Sequence, residues 1–136
     1  MTVRTWVYSR LATPAGMVAL ISDRVFAKKS MTSSIELHPY VVYKLGSNTD
    51  EGLSENEQLS RQFLQIFVHD YSDGEVADYI RIDLVIDQIK QSFYRASSKS
   101  DGVISTQYLE TSQDLNDETL NTVMKYIRIQ LITKDI

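Results

Sequence analysis

The feature that most constrains the fold is an alternating segment followed by a long segment of helical period, between residues 61 and 95. In the first part Leu64, Ile66 and Val68 alternate with larger or polar residues, which is typical of a β-strand with two different faces. In the second part apolar residues recur at spacings of three and four: Val76, Tyr79, Ile82, Ile86, Ile89 and Phe93. This period predicts a helix from about Glu75 to Arg95, whose apolar stripe packs on the strand.

The boundary and the width of this helix carry further information. Ser72 and Glu75 have the spacing of a capping box, so we expect the helix to begin near them. Ile80, Leu84 and Val85 make the apolar stripe wider than a narrow seam. Two interpretations follow: the helix is a core helix lying on a sheet, or its extra apolar width contacts a second subunit.

The remaining sequence predicts more short elements of both kinds. Residues 2–12 are expected to form a helix, and Thr13 is expected to cap a second helix over Ala15–Leu20 with Pro14 at its first position. Strands are predicted around 24–27, 38–45, 61–69, 103–110 and 122–133 from alternation and from β-branched and aromatic content. We therefore predict one α+β domain over residues 1–136. It has a mostly antiparallel sheet of about four to five strands, with the long helix and the N-terminal helices packed on one face.

Two surfaces are candidates for contacts with other subunits or partners. The first is the acidic segment 46–60, which is either a long hairpin arm continuing the strands at Leu45 and Arg61 or an acidic surface loop. Its candidate contact residues are Asp50, Glu51, Leu53 and Glu55. The second is the mixed aromatic and polar face of the predicted sheet, with candidate residues Phe63, Phe67, Tyr126 and Arg128.

Composition limits the function classes. The chain has no cysteine, so disulfides and thiolate metal sites are excluded. Its 18 acidic and 14 basic residues give a net charge of −4, which argues against a dedicated nucleic-acid-binding protein. No apolar run approaches the length of a membrane span, and the first residues lack the pattern of a signal peptide. We expect a soluble protein that is made in a cytoplasm and does not bind membranes.

No catalytic or metal-binding motif is found. The five glycines are scattered, so no phosphate-binding loop is present. His38 and His69 could meet on neighbouring strands, but two ligands do not make a zinc site. Residues 70–75 lack the alternating acidic ligands of a calcium loop. We predict a protein that is not an enzyme and that has no cofactor.

Several stretches, taken in order, carry a resemblance to a known family. They are the N-terminal helical region leading into 23–26, the strand opening at Pro39 to Val42, the strand Phe63 to His69, the long helix with Ala77 and Ile80 in its early turns, and the two closing strands. In this order they resemble the tail terminator, or tail completion, proteins of long-tailed bacteriophages, over nearly the whole chain.

The resemblance implies a structural virion protein without catalytic activity. Such a protein forms a homo-oligomeric, hexameric ring on the head-proximal end of the tail tube, where it stops tube polymerisation and joins the tail to the head. Its partners would be the tail tube protein and a head-completion or neck protein, and DNA would pass through the ring without sequence-specific binding. It would be assembled in the host cytoplasm and found in the tail of the virion.

Two other functions are compatible with the same residues. Another neck or head-closure ring component would have the same size, acidity and tendency to oligomerise. A protein of a different class, a small-molecule-binding α+β domain, would have a pocket between helix and sheet. Ligand-dependent stabilisation of the monomer would distinguish this last function from a ring, which associates without ligand.

Overall fold

The computed structural model describes residues 2–27, 39–50, 59–71, 78–117 and 122–134. Within these residues the chain forms three α-helices and six strands, with a short 3₁₀ turn before the fourth strand. In chain order they are α1 (Val3–Ala12), α2 (Ala15–Ile21), β1 (Val25–Phe26), β2 (Tyr40–Asp50), β3 (Leu59–Tyr71), α3 (Asp78–Phe93), β4 (Val103–Thr111), β5 (Leu115–Asp117) and β6 (Thr122–Lys134).

The six strands form one sheet in the order β1-β2-β3-β6-β4, and β5 pairs with β6. Among the described strands only the β1–β2 pair is parallel, and the four other pairs are antiparallel. β6 therefore lies between β3 and β4, although it is the last strand in the chain. β4 and β5 both pair along one side of β6, one after the other.

The helices cover one face of this sheet. Leu64, Ile66 and Val68 of β3 are buried together with Ile127 and Ile129 of β6, in one core cluster with the apolar stripe of α3. The alternation in β3 is the reason, because residues two apart point to the same side of a strand. Alongside α3, α1 and α2 complete the helical layer.

Trp6 anchors the N-terminal helices to α3. Its ring meets Phe93 edge to face with centroids 5.8 Å apart, and the Arg10 guanidinium lies 5.5 Å from the Trp6 ring centre. Ser92 Oγ donates a hydrogen bond of 2.6 Å to the carbonyl oxygen of Arg10. A buried aromatic pair and a satisfied backbone carbonyl together fix α1 against the C-terminal half of α3.

The predicted α+β architecture with a mostly antiparallel sheet is confirmed. The extra strand is β5, which lies between the strands predicted around 103–110 and 122–133, where we predicted no strand. Leu115, Asn116 and Asp117 have no β-branched or aromatic residue among them, so propensity does not indicate a strand. They form one because β6 extends beyond the end of β4 and provides unpaired backbone groups there.

Two local predictions are wrong. Thr13 does not cap α2; the cap residue is Pro14, and Thr13 instead ends α1 by donating its backbone N–H to Ser9 O. Strict alternation along the strand predicted over 103–110 would place Val103 and Thr106 on opposite faces, yet Val103 is buried in the core and Thr106 also points to the helices. A register shift between Val103 and Ser105 changes the parity of the strand at that point.

The segment 46–60 is partly described. β2 continues to Asp50 and β3 begins at Leu59, with Asp50 opposite Ser60, so both strands extend past Leu45 and Arg61 as a hairpin arm requires. Residues 51–58 lie outside the described residues, and so do the predicted capping residues Ser72 and Glu75 and the histidine His38.

Candidate assembly surfaces

The sheet face opposite the helices brings together the four residues predicted there. Phe67 and Tyr126 are direct partners across β3 and β6, with ring centroids 5.8 Å apart. The Arg128 guanidinium lies 5.3 Å from the centre of the Phe63 ring. All four side chains are half-buried. They form a continuous aromatic surface with one cation, which we call the open face.

Glu110 and Lys44 are the two charged groups that border the open face. Arg128 Nη1 donates to Glu110 Oε1 at 3.0 Å, which connects β6 to the edge strand β4. Lys44 Nζ lies 5.5 Å from the centre of the Phe67 ring. Arginine and aromatic side chains are enriched at protein interfaces and charged rims surround them, so this surface has the composition of a contact site.

One end of the same sheet face is buried. The Tyr40 and His69 rings stack with centroids 4.9 Å apart, and Phe26 meets Tyr40 edge to face. His69 Nδ1 and Thr122 Oγ1 share a hydrogen bond of 2.8 Å. Histidine, tyrosine and threonine could be mistaken for a catalytic group, but buried, stacked and hydrogen-bonded side chains of this kind are typical of structural cores.

The candidate residues of the acidic segment begin at the end of β2. Asp50 is the last residue of β2, where only its backbone pairing is described, and Glu51, Leu53 and Glu55 lie outside the described residues. Their predicted role in a contact stays a prediction.

The outward side of α3 carries exposed apolar residues. Ile80 is 59% exposed and Leu84 is 49% exposed, whereas their neighbour Val85 is completely buried. Of the three residues that widen the apolar stripe of the helix, Val85 therefore belongs to the core, and Ile80 and Leu84 lie outside it. This is the arrangement expected if part of the width contacts another subunit.

A pocket of about 410 Å³ lies between the C-terminal end of α3 and β4. Sequence reasoning did not find it, because its residues come from separate elements that only the fold brings together. Its walls are mostly apolar and aromatic, with cationic side chains at the mouth; they are Lys90, Phe93, Tyr94, Arg95, Thr106, Gln107, Tyr108 and Ile129. In the sequence, the adjacent Tyr94 and Arg95 at the predicted end of the helix are the one indication of an aromatic and a cationic group lying together there.

Thr106 fixes the geometry of this pocket. Its hydroxyl lies 2.7 Å from the carbonyl oxygen of Phe93 and 3.1 Å from that of Ala96, and it can donate to either. The Phe93 carbonyl is the last of α3 and also accepts from the backbone N–H of Ala96 at 3.2 Å, and the Ala96 carbonyl lies just beyond the helix. Thr106 thereby joins the helix end to the edge strand and holds the pocket open between them.

The pocket mouth contains two cation and aromatic pairs. Lys90 Nζ is 4.8 Å from the Tyr108 ring centre, and the Arg95 guanidinium is 5.3 Å from the Tyr94 ring centre. Neither Lys90 nor Arg95 forms an ion pair with a described residue. Tyr94 is 71% exposed and Tyr108 is 46% exposed, so the aromatic surface at the mouth is open to solvent.

Two other features, metal sites and membrane-spanning helices, are not found among the described residues. Among the described residues, no group of three or more histidine, aspartate or glutamate side chains could hold a metal ion. None of the described helices is both long enough and apolar enough to cross a membrane.

Comparison with known proteins finds a similar fold but no related sequence. No protein-family model and no curated protein matches the chain. A solved structure described as the virion of a native gene transfer agent particle contains a chain of similar fold, with a TM-score of 0.72 and 13% sequence identity. The similarity covers 98% of this chain and 96% of that chain. At this identity it establishes a shared fold over nearly the whole length.

Proposed function

We propose that this protein is a structural component of a phage-like virion, and that within the virion it acts as a tail terminator. Copies of the chain form a hexameric ring on the head-proximal end of the tail tube, stop tube polymerisation and join the tail to the head. The observation that carries the proposal is the fold shared, over nearly the whole length of both chains, with a chain of a gene transfer agent virion.

The surfaces of the protein suit ring assembly. A closed ring needs two different patches on each copy, because each subunit contacts its neighbours head to tail. The open face around Phe67 and Tyr126 and the edge of β4 are two such patches, on different parts of the molecule. The exposed Ile80 and Leu84 provide a third apolar surface, suited to a tube or neck protein.

The charge of the chain suits a channel for DNA. A net charge of −4 repels phosphates on average, which favours the passage of DNA through a ring of this protein without tight binding. The partners in this function are further copies of the chain, the tail tube protein and a head-completion protein. The protein assembles in the host cytoplasm and remains in the tail.

The first test is the oligomeric state and its effect on tail tubes. Native mass spectrometry and negative-stain electron microscopy of the purified chain, over a range of concentrations, are expected to show sixfold rings with a hole that admits duplex DNA. When tail tubes are added, the rings are expected to bind one end of each tube and to stop its elongation.

Matched variants make the test specific. Phe67→Ser combined with Tyr126→Ser removes the aromatic pair of the open face and is expected to weaken ring formation. Tyr8→Ser removes an exposed aromatic side chain from α1 and serves as the control. Rings that never bind tube ends would indicate another neck component, and a chain that stays monomeric even with tubes present would overturn the proposal.

The pocket beside α3 favours one candidate of a different class. A volume of about 410 Å³ with apolar walls and a few polar groups is within the range of small-molecule sites. A small-molecule-binding protein would gain thermal stability with its ligand while remaining monomeric. A thermal-shift screen of metabolites on the monomer tests this function directly.

A further inference from the structure

The edge of β4 next to the pocket has backbone groups that can pair with another segment of chain. Ser105 to Tyr108 pair one to one with Ile132 to Ile129 of β6. In the described part of the chain the other side of β4 pairs only at its first residue, where Ser98 bridges Val103, and no strand pairs with it from Ser105 on. The strand contains neither proline nor lysine, the residues that commonly protect exposed edges. A row of backbone N–H and C=O groups is thus available beside the pocket.

The chemistry of the pocket defines what can bind there. Phe93, Ile129 and Tyr108 give it an apolar wall, and Lys90 and Arg95 stand at the mouth without an ion pair to any described residue. A suitable ligand is an extended segment that pairs with the strand edge, places one apolar side chain in the pocket and presents carboxylates to the two cations.

The backbone of Arg95 gives an independent indication. Its φ angle is 51°, in the left-handed region that glycine adopts without strain at helix ends and that other residues adopt at a cost. Two residues after the end of α3, this conformation accompanies a guanidinium placed at the pocket mouth, 5.3 Å from the Tyr94 ring centre. Strained residues of this kind cluster at functional sites, where the side chain is needed.

The chain itself contains a segment of the required chemistry. Residues 50–58 include Asp50, Glu51, Glu55 and Glu57, no basic residue, and a single large apolar residue, Leu53. The hairpin of β2 and β3 carries this segment, since the strands remain paired as far as Asp50 and Ser60. The other acidic segment with a leucine, around Leu115, is already paired with β6.

We propose that the β4 edge and the adjacent pocket bind the acidic segment 50–58 of a second copy of this chain. Leu53 enters the pocket, and glutamates beside it pair with Lys90 and Arg95. The contact is head to tail, because the segment and the pocket are different parts of each copy, and it can therefore propagate around a ring. The inference rests on the proposed function only in that the protein assembles with itself.

Disulfide trapping in the full-length chain tests this contact. Because the chain has no cysteine, Leu53→Cys in one copy and Gln107→Cys in another introduce the only thiols. Mixing these two variants under mild oxidation is expected to give a 53–107 disulfide between copies. A disulfide formed only within one chain, when both substitutions are in the same copy, would overturn the proposal, as would the absence of any 53–107 bond.

Charge exchange provides the specificity control. Lys90→Glu with Arg95→Glu is expected to lower the yield of the mixed disulfide at least about tenfold, since like charges then face each other. Adding Glu51→Lys and Glu55→Lys to the other copy is expected to restore it. Arg4→Glu with Lys99→Glu reverses two exposed charges elsewhere and is expected to leave the yield unchanged.

Arg95→Gly separates binding from folding. The variant is expected to unfold at the same temperature as the parent or higher, because the left-handed strain is removed, while the disulfide yield falls. An unchanged yield in this variant and in Lys90→Glu with Arg95→Glu would overturn the proposed contact. If rings form but the 53–107 disulfide does not, only this contact is contradicted. If the disulfide forms but rings and capped tubes do not, only the terminator function is contradicted.

Discussion

Asp70, near the end of β3, is a buried carboxylate that meets α3. Its carboxylate is only 4% exposed, and Arg81 of α3 reaches it with Nε at 2.9 Å and Nη2 at 2.5 Å. The hydrogen bond to Asp70 raises the pKa of Arg81 above its ordinary value despite partial desolvation. The raised pKa keeps the Arg81 guanidinium protonated where it meets Asp70.

Removing Arg81 should be costly. Arg81→Ala leaves a buried carboxylate without its main partner, and we expect the free energy of unfolding to fall by about 1–3 kcal/mol. The matched control is Arg128→Ala, whose ion pair with Glu110 is exposed and should contribute less than about 1 kcal/mol. Urea unfolding followed by the fluorescence of Trp6 measures both. Equal losses in the two variants would contradict the reasoning.

Among single residues, alternation in the sequence predicted which residues share the open face, whereas the residues of the pocket beside β4 were not predicted together. The faces of Phe63, Phe67, Tyr126 and Arg128 followed from alternation, because both strands that carry them are regular where they pair. Lys90, Arg95 and Tyr108 could not be connected from sequence. Their proximity depends on how the end of α3 meets β4, and a register shift in β4 changes which residues point to the helix.

Among the elements, α3 has two environments on its opposite sides. Ile82 is completely buried against the sheet, and Ile80 is 59% exposed. We expect Ile82→Ala to lower the free energy of unfolding by about 2–5 kcal/mol, because it leaves a cavity in the core. Ile80→Ala, the same substitution on the outer side, should change it by less than about 0.5 kcal/mol. Denaturant titration of both variants tests the orientation of the helix.

Lys125 connects α3, β6 and the residues before β5. Its Nζ lies 2.6 Å from Asp83 Oδ1 and 3.1 Å from Asp114 Oδ1. Burial lowers the pKa of Lys125, but the hydrogen bonds and charges of the two aspartates outweigh burial and raise it above the ordinary value. Because the folded-state pKa is raised, the resulting stabilisation is complete below the ordinary lysine pKa of about 10.5 and is lost as pH rises through the raised value.

Comparison with Lys125→Met isolates this effect. The difference in unfolding free energy between the parent and the variant should be constant from neutral pH to mildly alkaline pH and should shrink at higher pH. Groups that the substitution does not affect contribute equally in both proteins and cancel in the difference. A difference that stays constant through the whole alkaline range would show that the two aspartates do not raise the lysine pKa.

The success of sequence reasoning also varied between elements. Long elements with a clear period, such as β3, β6 and α3, were predicted within a few residues, because burial of one face determines both period and length. β5 and the cap of α2 were not. Both depend on neighbours in space or on a single backbone conformation, and neither leaves a periodic pattern in the sequence.

For the whole molecule, the order of the strands governs how the fold can form. The central pair brings Ile66 of β3 together with Ile127 of β6, across nearly half of the chain. Contacts between residues so far apart in sequence cost loop-closure entropy before they stabilise the folded state. We therefore expect refolding in milliseconds to seconds rather than microseconds. Stopped-flow dilution from urea, with Trp6 as the probe, measures this rate, and a microsecond phase of full amplitude would contradict it.

The position of β6 has a consequence for the synthesis of the protein. A ribosome makes β3 and β4 well before it makes the strand that lies between them. Until then neither the open face nor the edge of β4 exists in its final form, because β6 contributes to the first and supports the second. A nascent domain therefore presents neither surface in its final form until Thr122–Lys134 has been made, so contacts that use these surfaces require the complete sheet.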